Sequence, residues 1–358
     1  MQNNYPSISR DNNFDLVRLF AALQVVFFHV QDRMNIVLPD MAWLRDMKGV
    51  PIFFTVSGFL ITASYLRCKG IRQYAVNRAL RIYPAIYMLI VATTIAALVT
   101  RDMTPGMLFL EDQRRWFISW VTFDQNFCPP HLYGFGIGTP NGSLWTIPVE
   151  LTFYAAIPLL FFLKRREVMW MLIAASYILS IVSNYFLHDF QATRPILSTY
   201  SFSLLPYLHY FIVGAVMYML WDKIRCFIEG KFLWYFIPFM GLTLLSVFFP
   251  KFNVHTELTI KTLQGVMMNI LLALCTISAA FTCKNLVKVL KGNDLSYGIY
   301  LYHGLVINVI IEMTDNRSSW LYVVVYILSI VCAWFSWKFV ERPCLNLKNR
   351  ILGNTNNI

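Results

Sequence analysis

The chain has 358 residues, of which 57% are hydrophobic, 16% aromatic and only 14% charged. Soluble domains carry about 25% charged residues, so this composition excludes a soluble globular protein and predicts one that crosses a membrane several times. The net charge of +11 comes from basic residues at the ends of apolar segments, a pattern typical of membrane orientation and not of nucleic-acid binding.

Ten apolar runs are long enough to cross a bilayer, which takes about 20 helical residues. They lie at about 14–36, 49–66, 83–100, 145–163, 168–187, 204–221, 232–250, 262–282, 295–313 and 319–340. The predicted fold is therefore all-α, a polytopic transmembrane bundle of about ten helices. A cytoplasmic N-terminus would put 20 of the 30 basic residues on the cytoplasmic side, which predicts that both termini are cytoplasmic. We predict one membrane domain, 1–345, and a short cytoplasmic tail, 346–358.

The first apolar run contains Arg18 and His29. Ionisable residues in a membrane segment are energetically costly, so their presence indicates a function. Eleven residues make about three helical turns, so both side chains lie on one face, roughly 16 Å apart along the axis. A neutral imidazole can accept a hydroxyl proton and return it, which suits acyl transfer. Two simpler alternatives stay open. Arg18 can reach the interface and pair with Asp15, and His29 can be a hydrogen-bonded packing residue.

The next two runs carry further polar residues. Ser57 precedes Gly58 in the second run, where a small pair allows close approach of a helix or a ligand. Arg78 and Arg81 precede the third run at an expected helix start, where arginine forks and a helix N-terminus suit phosphate groups. The simpler alternatives are helix packing for the Ser57–Gly58 pair and the usual cytoplasmic excess of arginine for the other pair.

A long connection, 101–144, is expected on the outer side and is rich in aromatic residues, among them Trp120 and Phe123. Such a segment either covers a sugar-binding cavity or rests at the membrane interface. Glu150 follows it at a depth similar to that of His29. A buried carboxylate needs a partner, so Glu150 either orients His29 or pairs with an arginine.

The last two runs add two candidate groups. Ser296, Tyr300 and His303 share one helix face near mid-membrane, which is typical of a cavity wall or of an internal hydrogen-bond network. Glu341, at the inner end of the last run, is a candidate partner for a cytoplasmic arginine. The seven cysteines are scattered, and their spacing suggests neither a disulfide framework nor a metal site.

Taken together, these segments resemble the membrane acyltransferase-3 family over nearly the whole chain. The matching motifs, in chain order, are Arg18 with His29, Ser57–Leu60, Arg78–Pro84, Ser143–Tyr154, Ser296–His303 and Glu341–Pro343. Each motif alone is weak, but six in order are specific. The resemblance implies an integral-membrane O-acyltransferase. Its donor is usually cytoplasmic acetyl-CoA, and its acceptor is a hydroxyl of an extracytoplasmic or lipid-linked glycan such as O-antigen, capsule or exopolysaccharide.

The resemblance also implies roles for residues and a location in the bacterial inner membrane. The catalytic candidates are His29, as base or as covalent carrier of the acyl group, and Glu150. The candidates for donor or substrate binding are Arg18, Arg78, Arg81, Ser57, Tyr300, His303 and Glu341. Acyl-CoA is a donor substrate, and no permanently bound cofactor or metal is expected. Membrane lipid is expected to surround the chain, and the resemblance leaves open whether a separate protein assists it.

The competing functional class is a proton-coupled membrane transporter. Buried arginine, histidine and glutamate residues can also form a proton pathway across a membrane. Many transporters are built from inverted repeats, and the sequence shows no such repeat, which favours the acyltransferase.

Overall fold

The computed structural model describes residues 6, 8, 11–36, 41–100, 105–119, 122, 127–162, 165–187, 200, 203–252, 254–283 and 293–353. Within these residues the chain is helical and has no strand, which confirms the all-α prediction for this part of the protein. The helices of twelve or more residues are α1 Phe14–Met34, α2 Gly49–Arg67, α3 Ile71–Thr100, α4 Thr146–Phe162, α5 Arg166–Leu187, α6 Leu208–Met219, α7 Phe232–Phe248, α8 Leu263–Ala280, α9 Ser296–Met313 and α10 Leu321–Ser336. Each predicted apolar run overlaps one of these helices.

Six helical segments of the described chain are long and apolar enough to cross a membrane, judged by length and composition. A bent pair, Trp221–Ile228 with Phe232–Phe248, would add a seventh. The six segments are Phe14–Met34, Trp43–Arg67, Ile71–Thr100, Arg166–Phe186, Leu263–Ala280 and Leu321–Ile351. The coarser prediction of several membrane-spanning helices is therefore supported, and the count of ten stays a prediction.

Large apolar side chains cover the outer surfaces of α7 and α10. On α7, Trp234 is 75% exposed and Phe248 is 74% exposed, and α10 exposes Val323 and Ile327. Soluble proteins rarely expose apolar patches of this extent, whereas lipid chains solvate them at no cost. These surfaces are typical of a multi-pass membrane protein.

The chain divides into two compact units. Unit one comprises Met1–Gln24, Asp40–Lys69 and Val149–Gly292, and unit two comprises Val25–Pro39, Gly70–Pro148 and Asn293–Ile358. Helices α1 and α4 each contribute residues to both units. The boundary between a membrane domain and a tail at residue 346 stays a prediction.

Unit one is organised around a close crossing of α2 and α6. A Cβ atom on Gly58 would come within 2.1 Å of the Phe211 carbonyl oxygen, and one on Gly214 within 2.1 Å of the Thr55 carbonyl oxygen. The two backbones therefore touch, and only glycine fits at either position. Beside this crossing, Phe59 packs in a fully buried aromatic cluster with Phe14, Tyr218, Trp221 and Phe281.

Unit two is organised around α9, which packs against α3 and α10. Gly298 lies against Ala333 of α10, where an added Cβ would meet the alanine Cβ at 2.8 Å. After α10 the chain continues as a π-helical turn, Trp337–Glu341, and two short helices, Arg342–Asn346 and Lys348–Ile351.

The long connection of unit two contains short helices of its own. They are Pro105–Phe109, Glu111–Ser119 and Pro130–Leu132. Trp116 is buried, whereas the aromatic residues Trp120 and Phe123 lie outside the described residues. The proposed cover of a sugar cavity by this connection stays a prediction.

Candidate active site

His303 on α9 is the centre of a polar cluster in unit two. Its side chain is fully buried, and its Nδ1 lies 3.2 Å from the carbonyl oxygen of Ile299, one turn earlier on α9. A carbonyl oxygen can only accept a hydrogen bond, so Nδ1 carries the proton and donates it. In a neutral ring, Nε2 of His303 is then an acceptor.

His29 meets this acceptor from the second half of α1. Its Nδ1 lies 2.8 Å from His303 Nε2, and the two rings stack with centroids 5.0 Å apart at 30°. The predicted polar face of α9 and the histidine of the first run therefore come together, although 274 residues separate them. We call this pair the histidine dyad.

The hydrogen-bond pattern fixes the tautomers of a neutral dyad. His303 Nδ1 donates to Ile299, so His303 Nε2 accepts from His29 Nδ1. His29 Nε2 then holds an unshared lone pair, and within the described residues no hydrogen bond reaches it. His29 is also half-buried where His303 is fully buried, so the ring that carries the free lone pair is the more accessible one.

Ser143 joins the dyad from the segment before α4. Its Oγ lies 3.1 Å from His303 Nε2 and 3.4 Å from His29 Nδ1. The hydroxyl of Tyr300 donates to the Ser143 carbonyl at 2.9 Å and lies 2.9 Å from Thr146 Oγ1. These bonds form an internal hydrogen-bond network, which is one of the two interpretations that the sequence offered for the polar face of α9.

The segment that carries Ser143 is fastened to α9 by amide side chains. Asn308 donates to the carbonyls of Thr139 and Pro140 at 2.7 and 3.0 Å. Two residues before His303 on α9, the Leu301 carbonyl accepts from Asn141 at 2.7 Å, and Asn141 accepts from the Ser143 N–H at 3.1 Å. These bonds hold the Ser143 hydroxyl at the dyad.

Two glycines make this attachment possible. Gly136 has φ +58, and a Cβ there would collide with the Asn308 side chain at 2.4 Å. Gly304 on α9 faces Asn141 Oδ1, which an added Cβ would meet at 2.3 Å. Each absent side chain leaves the volume that the neighbouring asparagine occupies.

Arg33 lies beside Ser143, and the sequence patterns gave it no role in the site. Its Nη2 donates to Ser143 Oγ at 3.4 Å. The available signal was helical spacing, because Arg33 follows His29 by four residues on α1 and shares its face. An arginine near a helix end normally reaches the interface, which is why spacing alone gave it no role.

Arg81 lies in a second polar group of unit two. It forms an ion pair with Asp294, which also accepts hydrogen bonds from Ser296. The guanidinium carbon lies 5.8 Å from the ring centroids of both Tyr297 and Trp337. Tyr297 and His303 are six residues apart on α9, so about 9 Å along the helix axis separates this group from the dyad.

Glu341 belongs to the same group. Its Oε1 accepts a hydrogen bond from Ser336 at 2.9 Å, and the carboxylate interacts electrostatically with Arg81. The predicted pairing of Glu341 with a cytoplasmic arginine is therefore consistent with its position, whereas the described ion pair of Arg81 is made by Asp294.

The expected helix start at Arg78 and Arg81 is wrong. Helix α3 begins at Ile71, so Arg78 and Arg81 lie about two and about three turns inside it, away from its N-terminus. The twelve residues before the apolar run contain three arginines, two alanines, a leucine and a glutamine, which favour helix, so the helix extends beyond the membrane-length segment. Any phosphate binding by these arginines would use their side chains and not the N-terminus of α3.

The remaining predicted site residues lie in unit one. Ser57 donates to Glu150 Oε1 at 2.8 Å, and Tyr154 donates to the same oxygen. Arg18 pairs with Asp15 at 2.8 Å, which confirms the expected local pair. The orientation of His29 by Glu150 stays a prediction. No group of three or more metal-ligating side chains occurs within the described residues.

Comparison with known proteins gives a family match over most of the chain. Residues 11–338 match the model of one family, described as an acyltransferase domain. Nodulation protein 10 of Rhizobium leguminosarum bv. viciae is 31% identical over 98% of this chain and 97% of its own length. A Bacillus subtilis (strain 168) protein, provisionally named a peptidoglycan O-acetyltransferase, is 24% identical over 92% of this chain.

The coverage differs between relatives. This chain spans 54% of the Bacillus protein's length. An O-acetyl transferase of Shigella phage Sf6 is 31% identical over 40% of this chain and 44% of its own length. No solved structure matches the chain.

Proposed function

We propose that this chain, which belongs to the acyltransferase-3 family, transfers an acetyl group from cytoplasmic acetyl-CoA to a hydroxyl of an extracytoplasmic glycan. The family makes the protein an acyltransferase enzyme, and relatives named O-acetyltransferases assign it to O-acyl transfer. The donor, the glycan acceptor and a place in the bacterial inner membrane are our proposals. So are ten membrane spans with both termini in the cytoplasm.

The histidine dyad is the observation that carries the proposal. A general base must be neutral and must present a free lone pair to the proton it removes. The chain of hydrogen bonds from Ile299 through His303 leaves that lone pair on His29 Nε2. The dyad thus has the arrangement of a base and an orienting partner, as in other acyl-transfer sites.

In the proposed reaction, His29 Nε2 takes the proton of the acceptor hydroxyl. The hydroxyl oxygen attacks the thioester carbonyl carbon, and the carbonyl oxygen becomes an oxyanion. The oxyanion then reforms the carbonyl as the carbon–sulfur bond breaks, and His29 returns its proton to the sulfur of CoA. His303 orients His29 throughout, and Ser143 and Tyr300 hold the cluster together.

We assign donor binding to the arginines nearer the predicted cytoplasmic end. Arg78 and Arg81 would hold CoA phosphates, and Arg18 would support donor binding. Glu341 would steady Arg81, and Ser57 and Glu150 of unit one stay candidates for substrate binding and for catalysis. The group around Arg81 lies about 9 Å along α9 from the dyad, a span that an extended pantetheine arm can bridge.

The test is the O-acetyl content of surface glycans, measured by NMR in cells that lack the protein. We expect the O-acetyl signal to disappear on deletion, to return with the wild type, and to stay absent with His29→Ala at equal membrane level. His255→Ala is the matched control, because His255 is partly exposed and pairs with Asp46 in unit one. Unchanged glycan acetylation in the deletion strain, with no loss of labelled acetyl-CoA turnover in its membranes, would refute the proposal.

A further inference from the structure

The guanidinium group of Arg33 is incompletely bonded inside the protein. Nη2 reaches Ser143 Oγ at 3.4 Å, whereas Nη1 is buried and has no hydrogen-bond partner within the described residues. No described carboxylate forms an ion pair with Arg33, and its chain neighbour Asp32 is exposed. A buried charged donor left unsatisfied is costly, so this position implies a partner that the described residues do not supply.

The missing partner has to be an acceptor next to the dyad. One hydroxyl, Ser143 Oγ, lies within 3.4 Å of both Arg33 Nη2 and His29 Nδ1. Gly142 leaves space on the same side, because a Cβ there would come within 3.3 Å of Arg33 Nη2. The unsatisfied donor and the free lone pair of His29 therefore belong to one cluster.

Acyl transfer creates an acceptor that exists only during the reaction. When a hydroxyl attacks a thioester, the carbonyl oxygen becomes an oxyanion beside the base that took the proton. Preorganised donors aimed at such a charge in a site that excludes water are often the largest single contribution to catalysis. A donor that stays unpaired in the resting protein and gains its partner in the transition state meets this requirement.

We propose that Arg33 is a catalytic residue that donates from Nη1 to the oxyanion of the tetrahedral intermediate. The inference rests on the proposed acetyl transfer and adds the residue that stabilises its charge. As the oxyanion reforms the carbonyl and the carbon–sulfur bond breaks, Arg33 keeps its protons, and the transferred proton travels through His29 alone.

The alternative partner is a permanent negative charge on a substrate, and kinetics separate the two. Loss of an interaction made only in the transition state lowers kcat and leaves KM unchanged, whereas loss of ground-state binding raises KM. Arg33→Gln is the informative variant, because glutamine keeps a polar chain and removes the charged fork. Arg317→Gln is the matched control, since Arg317 bonds only backbone carbonyls in the connection before α10.

The assay measures transfer of a labelled acetyl group from acetyl-CoA to surface glycan. The glycan is isolated from deletion cells and de-O-acetylated. The enzyme is the full-length protein in membranes, at matched levels for all variants. We expect Arg33→Gln to lower kcat by about 10²- to 10³-fold with KM for acetyl-CoA unchanged, and Arg317→Gln to match the wild type. Guanidinium added to Arg33→Ala is expected to restore part of kcat. An unchanged kcat in Arg33→Gln, or a raised KM at constant kcat, would overturn the inference.

Two further outcomes keep the test decisive. If Arg33→Gln does not accumulate in membranes, Arg33→Lys takes its place, because it keeps the charge and loses the fork. A reduced kcat in Arg33→Lys supports the inference, and a wild-type kcat overturns it. Failure of the proposed function would look different, since the wild type itself would then transfer no label.

Discussion

At the scale of single residues, the side chain of His303 decides which nitrogen of His29 is free. The Ile299 carbonyl holds the proton on His303 Nδ1, and His303 Nε2 in turn holds the proton on His29 Nδ1. His303 does not need to touch a substrate for this role. It is a positioning residue, comparable with the acid that orients the histidine in other acyl-transfer sites.

We predict that His303→Phe lowers kcat by about 10²-fold or more, because a ring of similar size without nitrogen cannot accept from His29 Nδ1. His303→Gln should keep more activity, since its amide oxygen can take over the acceptor position. The measurement is kcat across a pH series at matched membrane levels. Equal activity of the two variants would show that the contribution of His303 is packing.

Much of the site could be predicted from sequence, but its pairings could not. Residue type and helical spacing selected His29, Tyr300 and His303, because both properties are local. The contact between His29 and His303 depends on how α1 and α9 pack, which no local pattern encodes. Arg33 was missed for a related reason, since burial of an arginine near a helix end is a tertiary property.

At the scale of helices, hydropathy predicted the position of each helix along the chain well and its length less well. Every apolar run overlaps a helix, because burial in lipid or protein demands internally bonded backbone. The start of α3 at Ile71 was missed, because the first twelve residues of this helix include three arginines, a glutamine and an asparagine and carry no membrane signal. The Ser57–Gly58 pair was predicted to allow close approach of a helix or a ligand, and the α2–α6 crossing confirms close approach of a helix at Gly58.

We predict that Gly58→Ala and Gly214→Ala each lower the melting temperature of the purified protein by several degrees or prevent its accumulation. An added Cβ would overlap a backbone carbonyl oxygen of the facing helix, and the backbone cannot yield cheaply. Gly241→Ala on α7 is the matched control, because a Cβ there meets nothing within 4 Å and alanine favours helix. Melting temperatures of all three variants within error of the wild type would contradict the close crossing.

At the scale of the whole molecule, orientation in the membrane connects the donor side to the acceptor side. Arg78 and Arg81 lie toward the end of α3 that the basic-residue count predicts to be cytoplasmic, whereas Arg33 and His29 lie toward the end of α1 that the same count predicts to face outside. This arrangement is what transfer from cytoplasmic acetyl-CoA to an external glycan requires.

We predict that reporter fusions will place both termini in the cytoplasm. A fluorescent protein that folds only in the cytoplasm should fluoresce at the C-terminus, and a phosphatase active only outside should work when inserted at Arg317. The same phosphatase inserted after Arg67, between α2 and α3, is the control and should be inactive. A reversed pattern would contradict the orientation and move the arginines to the acceptor side.

The central claim is that His29 is the base of acetyl transfer, and inside-out membrane vesicles test it most directly. Acetyl-labelled CoA is supplied to the exposed cytoplasmic face, and alkali-labile label in the glycan is measured for wild type and His29→Gln at equal protein levels. We predict transfer by the wild type and a loss of about 10²-fold or more in His29→Gln. Wild-type labelling by His29→Gln would contradict the account.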